Sequence, residues 1–282
     1  MKTAVVLLFC VFFAVFAART GFTSQSNQPA VCRGSYTVVN SYPVGLGSAY
    51  GLAIMTETPN SIWISQYTPA QINEFDMATG TATGNTWAIN GGVDADDMGY
   101  CEYSGSPNQL FFGHWEDSWI QVYDVSDTES ACYLRGNISG PSAWSRVCGV
   151  DAGHGMLYAS DFFTNEIAWG PYTGTETTVS WTTAPFNSVS GVAVWGDYLF
   201  VCTQETGTDN IFIMEINADG SPSTTPVWSC SFSESSSGPN GGIDYDGTHL
   251  WVYPQNENLF ELEIDWVSSL QRNSWGAIKS SF

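Results

Sequence analysis

A repeat limits what this chain of 282 residues can fold into. Five times, a glycine opens a short apolar strand, and a tight turn and a second apolar strand follow it. The five repeat glycines are Gly51, Gly99, Gly149, Gly191 and Gly242, at intervals of 48, 50, 42 and 51 residues. A period of this length indicates one structural unit that is copied along the chain. Such copies stack on one another because none of them can bury its apolar face alone.

Each unit contains about four short strands. In the first unit these are GLAIM at 51–55, SIWISQ at 61–66, QINEFDM at 71–77 and GNTWAI at 84–89. The strands are rich in aromatic and β-branched residues and are bounded by turn-forming Gly, Asn and Asp, as strands of a sheet should be. The pattern predicts an all-β fold, a five-bladed β-propeller with four-stranded antiparallel blades. A six-bladed ring is the alternative.

The fifth unit ends after its third strand, LFELEID, and no fourth strand follows it. The segment SYTVVNSYPVG, residues 35–45, stands before the first unit just as a fourth strand stands before each later unit. We therefore predict that this N-terminal strand pairs with the fifth blade and closes the ring, which removes an exposed sheet edge.

Tryptophans recur at equivalent strand positions of the units. They are Trp63, Trp87, Trp181, Trp228 and Trp251. We interpret them as packing between blades. The alternative is an exposed aromatic platform on which sugars stack.

The chain divides into three predicted parts: a signal peptide at 1–18, the propeller at 31–267 and a tail at 268–282. The first part has one Lys, an apolar run and small residues at Ala17 and Ala18. This pattern is typical of a secretory signal, although an uncleaved anchor helix is the alternative. We therefore expect an exported protein, secreted or at the cell surface, with no transmembrane segment in the mature chain.

Charge and cysteine content narrow the possible partners. Acidic residues outnumber basic ones 28 to 7, which gives a net charge of −21 and argues against nucleic-acid binding. Six of the seven cysteines lie beyond the predicted signal: Cys32, Cys101, Cys132, Cys148, Cys202 and Cys230. An even number in an exported chain suggests disulfides, and buried free thiols are the equal alternative.

Acidic residues recur where ligands usually meet a propeller, at the axial end where the inner strands start. They are Asp94, Asp96, Asp97, Asp151 and Asp244. Carboxylates that converge on an axis repel one another unless a hard cation joins them, so the sequence predicts a Ca²⁺ site there. The alternative is a set of solvated loop carboxylates. No catalytic motif is present, and His154, close to Asp151, is the one candidate for a catalytic base.

Segments such as GIDYDGTHLWV at 242–252 and INEFDMATG at 72–80 resemble the NHL-type and YVTN-type propellers of secreted bacterial proteins. The resemblance covers about residues 35 to 265 and implies the propeller architecture, but propellers of this kind have many functions. Five-bladed members include the plant-type glutaminyl cyclotransferases, whose Glu- and Trp-containing blade motifs we do not find here. The ending NSWGAIKSSF resembles the short Trp-Gly-x-Ile-Lys tails of some exported bacterial proteins.

Together these features predict an exported, non-catalytic β-propeller that acts as a binding or structural module. Its expected partner is a cell-envelope glycan or a protein. Two other functions are possible: a divalent-metal-dependent hydrolase or lyase with an axial carboxylate site, and a protomer of an extracellular assembly. In the last case, the tail with Arg272 and Lys279 would direct self-association.

Overall fold

The computed structural model describes residues 33–55, 60–89, 95–103, 107–126 and 131–266, with residues 95, 126 and 131–133 described by their backbone alone. The predicted signal and tail lie outside this part of the chain. The described residues form strands and turns without any helix, and therefore contain no apolar helix of membrane-spanning length.

The described residues form twenty strands, and the first of them is β1 (Tyr36–Pro43). The first blade consists of β2 (Ala49–Ile54), β3 (Ser61–Gln66), β4 (Gln71–Asp76) and β5 (Ala82–Ala88). The second consists of β6 (Ala95–Cys101), β7 (Asn108–His114), β8 (Trp119–Ser126) and β9 (Ala131–Ser139). The third consists of β10 (Val150–Gly153), β11 (Met156–Asp161), β12 (Glu166–Pro171) and β13 (Thr182–Pro185). The fourth consists of β14 (Val189–Trp195), β15 (Tyr198–Thr203), β16 (Ile211–Glu215) and β17 (Trp228–Cys230). The fifth contains β18 (Gly241–Tyr245), β19 (Leu250–Pro254) and β20 (Asn258–Ile264).

These strands form five separate four-stranded sheets, and all pairs within a sheet are antiparallel. The inner strands β2, β6, β10, β14 and β18 contact one another in cyclic order, so the sheets surround a central axis. The prediction of a five-bladed propeller is confirmed, and the six-bladed alternative is wrong.

The N-terminal strand closes the ring, as predicted. β1 is the outer strand of the fifth sheet and pairs with β20 from Tyr36 opposite Ile264 to Pro43 opposite Asn258. Side chains reinforce this closure, because Ser35 donates hydrogen bonds from its backbone N and its Oγ to the Asp265 carboxylate at 2.8 and 2.9 Å. The closed ring leaves β20 no free edge.

The repeat glycines are required by the close approach of neighbouring blades at the axis. A Cβ atom added to Gly51 would lie 2.6 Å from the Cα of Asp97, and one added to Gly242 would lie 2.3 Å from the backbone N of Leu52. Backbone atoms cannot move aside as a flexible side chain can, so a side chain at these positions would push two blades apart. This explains why every unit opens with glycine.

The repeated tryptophans pack inside and between blades. Trp63, Trp228 and Trp251 are fully buried, and the Trp63 ring lies 4.4 Å from that of Trp87. Trp181 is partly buried, and its Nε1 donates a hydrogen bond to the carbonyl of Ser139 in the second blade. The packing interpretation is confirmed, and these residues do not form an exposed sugar platform.

Four of the cysteines are free thiols. Cys148, Cys202 and Cys230 are buried and Cys101 is partly buried. The side chains of Cys32 and Cys132 lie outside the described part of the chain. Of the two alternatives, disulfides and free thiols, the four described cysteines therefore follow the second.

Candidate functional site

A cavity of about 300 Å³ opens on the axis at the end where the inner strands start. Every blade contributes to it at two equivalent places. The first is at or just before the start of its inner strand, and these residues are Tyr50, Asp96, Cys148, Ser190 and Gly241, with Asn240 just before Gly241. The second is the residue directly after its second strand, and these residues are Tyr67, Trp115, Phe162, Gln204 and Gln255. We call this space the entry cavity.

The entry cavity has an aromatic half and an amide half. The first three blades supply Tyr67, Trp115 and Phe162, whereas the fourth and fifth supply Gln204 and Gln255. Aromatic rings offer flat apolar faces, and side-chain amides offer both donors and acceptors. A ligand with an apolar face and a polar edge matches this division.

The amide half is held in place before any ligand arrives. Gln204 Nε2 donates a hydrogen bond to Asn240 Oδ1 at 2.8 Å, and Asn240 Nδ2 donates a longer one to Gln255 Oε1 at 3.4 Å. The backbone N of Gln255 donates to the carbonyl of Asn240 at 2.6 Å. These bonds fix the orientation of the amides, which reduces the conformational entropy that a ligand would otherwise have to remove.

Ionisable groups of the entry cavity are acidic or neutral. Asp96 and Glu116 line it, and so does the buried thiol of Cys148. Burial, and then the negative charge of Asp96, raises the pKa of Cys148 well above its usual value. A thiol in this state is protonated at neutral pH and is a poor nucleophile.

A second cavity, of about 650 Å³, lies at the opposite end of the axis, where the inner strands finish. We call it the exit cavity. Asp151 and Asp244, which the sequence predicted at the end where the inner strands start, line this exit cavity instead. Each accepts a hydrogen bond from the next blade: Asp151 from the backbone N of Val194 at 2.6 Å, and Asp244 from that of Ile54 at 2.7 Å. These two carboxyl groups therefore connect neighbouring inner strands.

Asp97 lies between the two cavities and is fully buried. Its Oδ2 accepts a hydrogen bond from the backbone N of Val192 at 3.2 Å, so its side chain crosses the ring from the second blade to the fourth. Its Oδ1 has no hydrogen-bond partner among the described residues. Burial raises the pKa of Asp97 well above its ordinary value. A protonated carboxyl group here costs less desolvation energy than a carboxylate would.

Burial also dominates the ionisation of the exit-cavity carboxyls. It raises the pKa of Asp244 to about 7, against hydrogen bonds from the backbone N of Ile54 and Tyr245 that lower it. It raises the pKa of Asp151 well above the usual range, and the negative charge of Asp244 acts in the same direction. Burial therefore favours the protonated form of all three axial carboxyl groups, Asp97, Asp151 and Asp244.

The structure separates the predicted metal ligands. Asp96 lines the entry cavity, Asp97 lies between the cavities, and Asp151 and Asp244 line the exit cavity. Asp94 lies outside the described residues. Within the described ranges, no group of three or more His, Cys, Asp or Glu side chains could hold a metal ion. The Ca²⁺ site stays a prediction that depends on Asp94.

His154 lies in the tight turn between β10 and β11 with a φ of 56°. It lines the exit cavity with Asp151, but its Nε2 atom pairs with the Asp197 carboxylate at 2.8 Å. The side chain is one-third exposed. A catalytic role for His154 stays a prediction.

The residues that give the entry cavity its chemistry are not among those predicted from the sequence. A signal for them exists in the repeat, because each one directly follows the second strand of its unit. Aligned on the segments SIWISQ, QLFFGH, MLYASD, YLFVCT and HLWVYP, the next residues are Tyr67, Trp115, Phe162, Gln204 and Gln255. Three aromatic residues and two glutamines at one turn position differ from the Gly, Asn and Asp that most turns need.

The fold and these cavities define the class of this protein, a five-bladed β-propeller with a ligand-sized cavity on its axis. No protein-family model matches the chain, and no curated protein matches it either. Its similarity to known proteins therefore rests on solved structures.

The structure is similar to that of the glutaminyl cyclase of Myxococcus xanthus, with a TM-score of 0.60 at 12% sequence identity over 84% of this chain and 99% of that one. The PQQ-bound aldose sugar dehydrogenase of Streptomyces coelicolor aligns over 83% of this chain and 99% of that one, with 14% identity and a TM-score of 0.48. At such identities a likeness shows the fold alone, and the second match adds no argument. The resemblance to the NHL and YVTN classes stays a prediction.

Proposed function

We propose that this protein is an exported binding module that holds one end of a glycan in the entry cavity, without a chemical reaction. One observation carries the proposal: equivalent positions of the five blades are aromatic on one side of the cavity and amide on the other. A sugar ring has an apolar C–H face and a polar edge of hydroxyl groups, each a donor and an acceptor. The apolar face can pack on the aromatic half, and the hydroxyl groups can form hydrogen bonds with the amide half.

The size and charge of the cavity support the same ligand class. About 300 Å³ is at the lower end of the range for small-molecule sites, so one or two sugar rings would enter and the rest of a glycan would extend outward. Asp96 and Glu116 disfavour an anionic group inside the cavity. Export, which the N-terminal sequence favours, would bring the protein to cell-surface or extracellular glycans.

The proposal is tested by measuring binding on a glycan array, followed by titration calorimetry with the oligosaccharides that bind. Trp115→Ala should weaken the binding of those oligosaccharides by about tenfold or more, because a tryptophan ring that contacts the ligand contributes much of the affinity of a site. The matched control is Trp195→Ala, which removes the same ring from the exit cavity and should leave the affinity unchanged.

Two results would contradict the proposal. One is the absence of binding to any glycan on the array. The other is equal loss of affinity in the two tryptophan variants, which would place the ligand elsewhere. Mass spectrometry of the glycan after incubation tests whether the protein only binds, since a shortened or modified glycan would indicate an enzyme.

A further inference from the structure

Arg146 differs from the other cations of the described chain. The described part contains three residues of the Lys and Arg type, namely Arg33, Arg135 and Arg146. Arg33 pairs with Asp209 at 3.6 Å and Arg135 with Asp124 at 3.2 Å. Within the described residues, no carboxylate lies within ion-pair distance of Arg146. This is unexpected in a protein with 28 acidic residues and 7 basic ones.

Two aromatic rings fix the guanidinium group of Arg146. Its Cζ atom lies 4.5 Å from the centre of the Trp115 ring and 3.7 Å from that of Phe163. Both rings belong to the few large exposed hydrophobic side chains, at 38% and 53% exposure. A guanidinium held over aromatic rings keeps its charge and its planar set of donors, and loses little freedom when it binds an anion.

This arrangement stands at the rim of the entry cavity. Trp115 and Phe162 line the cavity, and the Phe162 ring packs at a tilt of 33° against that of Phe163 with ring centres 4.0 Å apart. The charge of Arg146 reaches the buried Asp161, whose pKa it lowers, but burial outweighs this effect and the pKa of Asp161 is raised. Among the residues that the structure describes, no carboxylate forms a tight ion pair with Arg146 that a ligand would have to break.

We propose that the glycan is acidic, and that Arg146 binds a carboxylate of a sugar unit at the rim while a neutral unit occupies the cavity. This inference rests on the proposed function. Arg pairs with carboxylates through two parallel hydrogen bonds, which gives strength and orientation. The net charge of −21 does not forbid such a ligand, because charges more than about 8 to 10 Å away are screened at physiological ionic strength.

The test uses trimers that carry one galacturonic, glucuronic or mannuronic acid beside two neutral sugar units, each with its methyl-esterified, neutral form. Wild-type protein should bind at least one acidic trimer roughly tenfold to a hundredfold more tightly than its ester, as the loss of a charge-assisted hydrogen bond implies. Raising the salt concentration should weaken the binding of the acidic trimer and leave the binding of the ester nearly unchanged.

Arg146→Met should reduce the affinity for the acidic trimer to that for the ester, without changing the affinity for the ester. The matched control is Arg135→Met, which alters the net charge by the same amount at an arginine already paired with Asp124, and should keep the preference. Arg146→Lys retains the charge but not the planar pair of donors, so it should keep only part of the preference.

The outcomes separate the two proposals. If the protein binds neutral glycans but no acidic trimer more tightly than its ester, the role of Arg146 is refuted and the proposed function stands. If Arg146→Met is less stable yet keeps the preference, Arg146 has a structural role only, and the inference fails. If no glycan binds at all, both proposals fail. Should Arg146→Met not fold, Arg146→Lys and the salt dependence of the wild-type protein decide the question.

Discussion

Because of Asp244, the stability of the protein should fall as the pH rises, and Asp244→Asn should abolish this pH dependence. The pKa of this carboxyl group is raised from its ordinary value of 3.8 to about 7 in the folded state. The folded state therefore holds its proton more tightly than the unfolded chain does. The stabilisation is fully present below about pH 4 and is lost as the pH rises towards 7, because only the unfolded state ionises in this range.

The size of the effect follows from the same shift. Each pKa unit corresponds to about 1.4 kcal/mol, so a rise from 3.8 to about 7 corresponds to a loss of about 4 kcal/mol. Asp244 is only partly buried, and solvent screening reduces this to about 2 kcal/mol. For a chain of this size the wild-type melting temperature should fall by roughly 4 to 8 °C relative to the variant.

The measurement is thermal unfolding of both proteins at several pH values from 4 to 8. Asn keeps an acceptor for the backbone N of Ile54, but its amide group can face the backbone N of Tyr245, which costs some stability at every pH. The relevant quantity is therefore how the difference in melting temperature between the wild type and Asp244→Asn changes with pH. Asp219→Asn is the control, because hydrogen bonds from Ser221 lower the pKa of this exposed carboxylate and its dependence should be small and of opposite sign.

A difference in melting temperature between the wild type and Asp244→Asn that stays constant from pH 4 to pH 8 would refute the reasoning.

The same samples test the predicted Ca²⁺ site. A site that includes Asp244 would raise the wild-type melting temperature in millimolar calcium, and a chelator would reverse the rise. The Asp244→Asn variant should then respond much less.

Two further predictions concern the ring. Gly51→Ala should lower the free energy of unfolding by at least about 2 kcal/mol, because its Cβ would meet the backbone of the second blade. The control is Gly47→Ala, which should melt like the wild type because no atom lies within 4 Å of an added Cβ. Equal melting temperatures of the two variants would contradict the explanation of the repeat glycines. Removing residues 33–43 should expose the edge of β20 and cause a large fall in the melting temperature or aggregation, while Val39→Thr, at an exposed position of β1, should have little effect. A truncated protein with an unchanged melting curve would show that β1 is not needed for closure.

Most of the fold could be predicted from the sequence, because it depends on interactions that are local or repeated. The second strand of the first unit is predicted at 61–66 and observed as Ser61–Gln66. The missing fourth strand of the last blade identified β1 as its replacement, since a sheet edge needs a partner. The glycine that opens each unit was visible as a pattern, but its reason, the approach of backbone from the next blade, required the structure.

The candidate site depended on tertiary structure. Asp96 and Asp244 both stand near the start of a unit, yet one lines the entry cavity and the other the exit cavity. A strand advances about 3.3 Å per residue, so a few residues along an inner strand move a side chain from one end of the axis towards the other. The cavity itself joins residues as distant as Tyr50 and Gln255. The sequence could determine the blades because each is built from neighbouring strands, but the axial cavity exists only where all five meet, and no single repeat contains it.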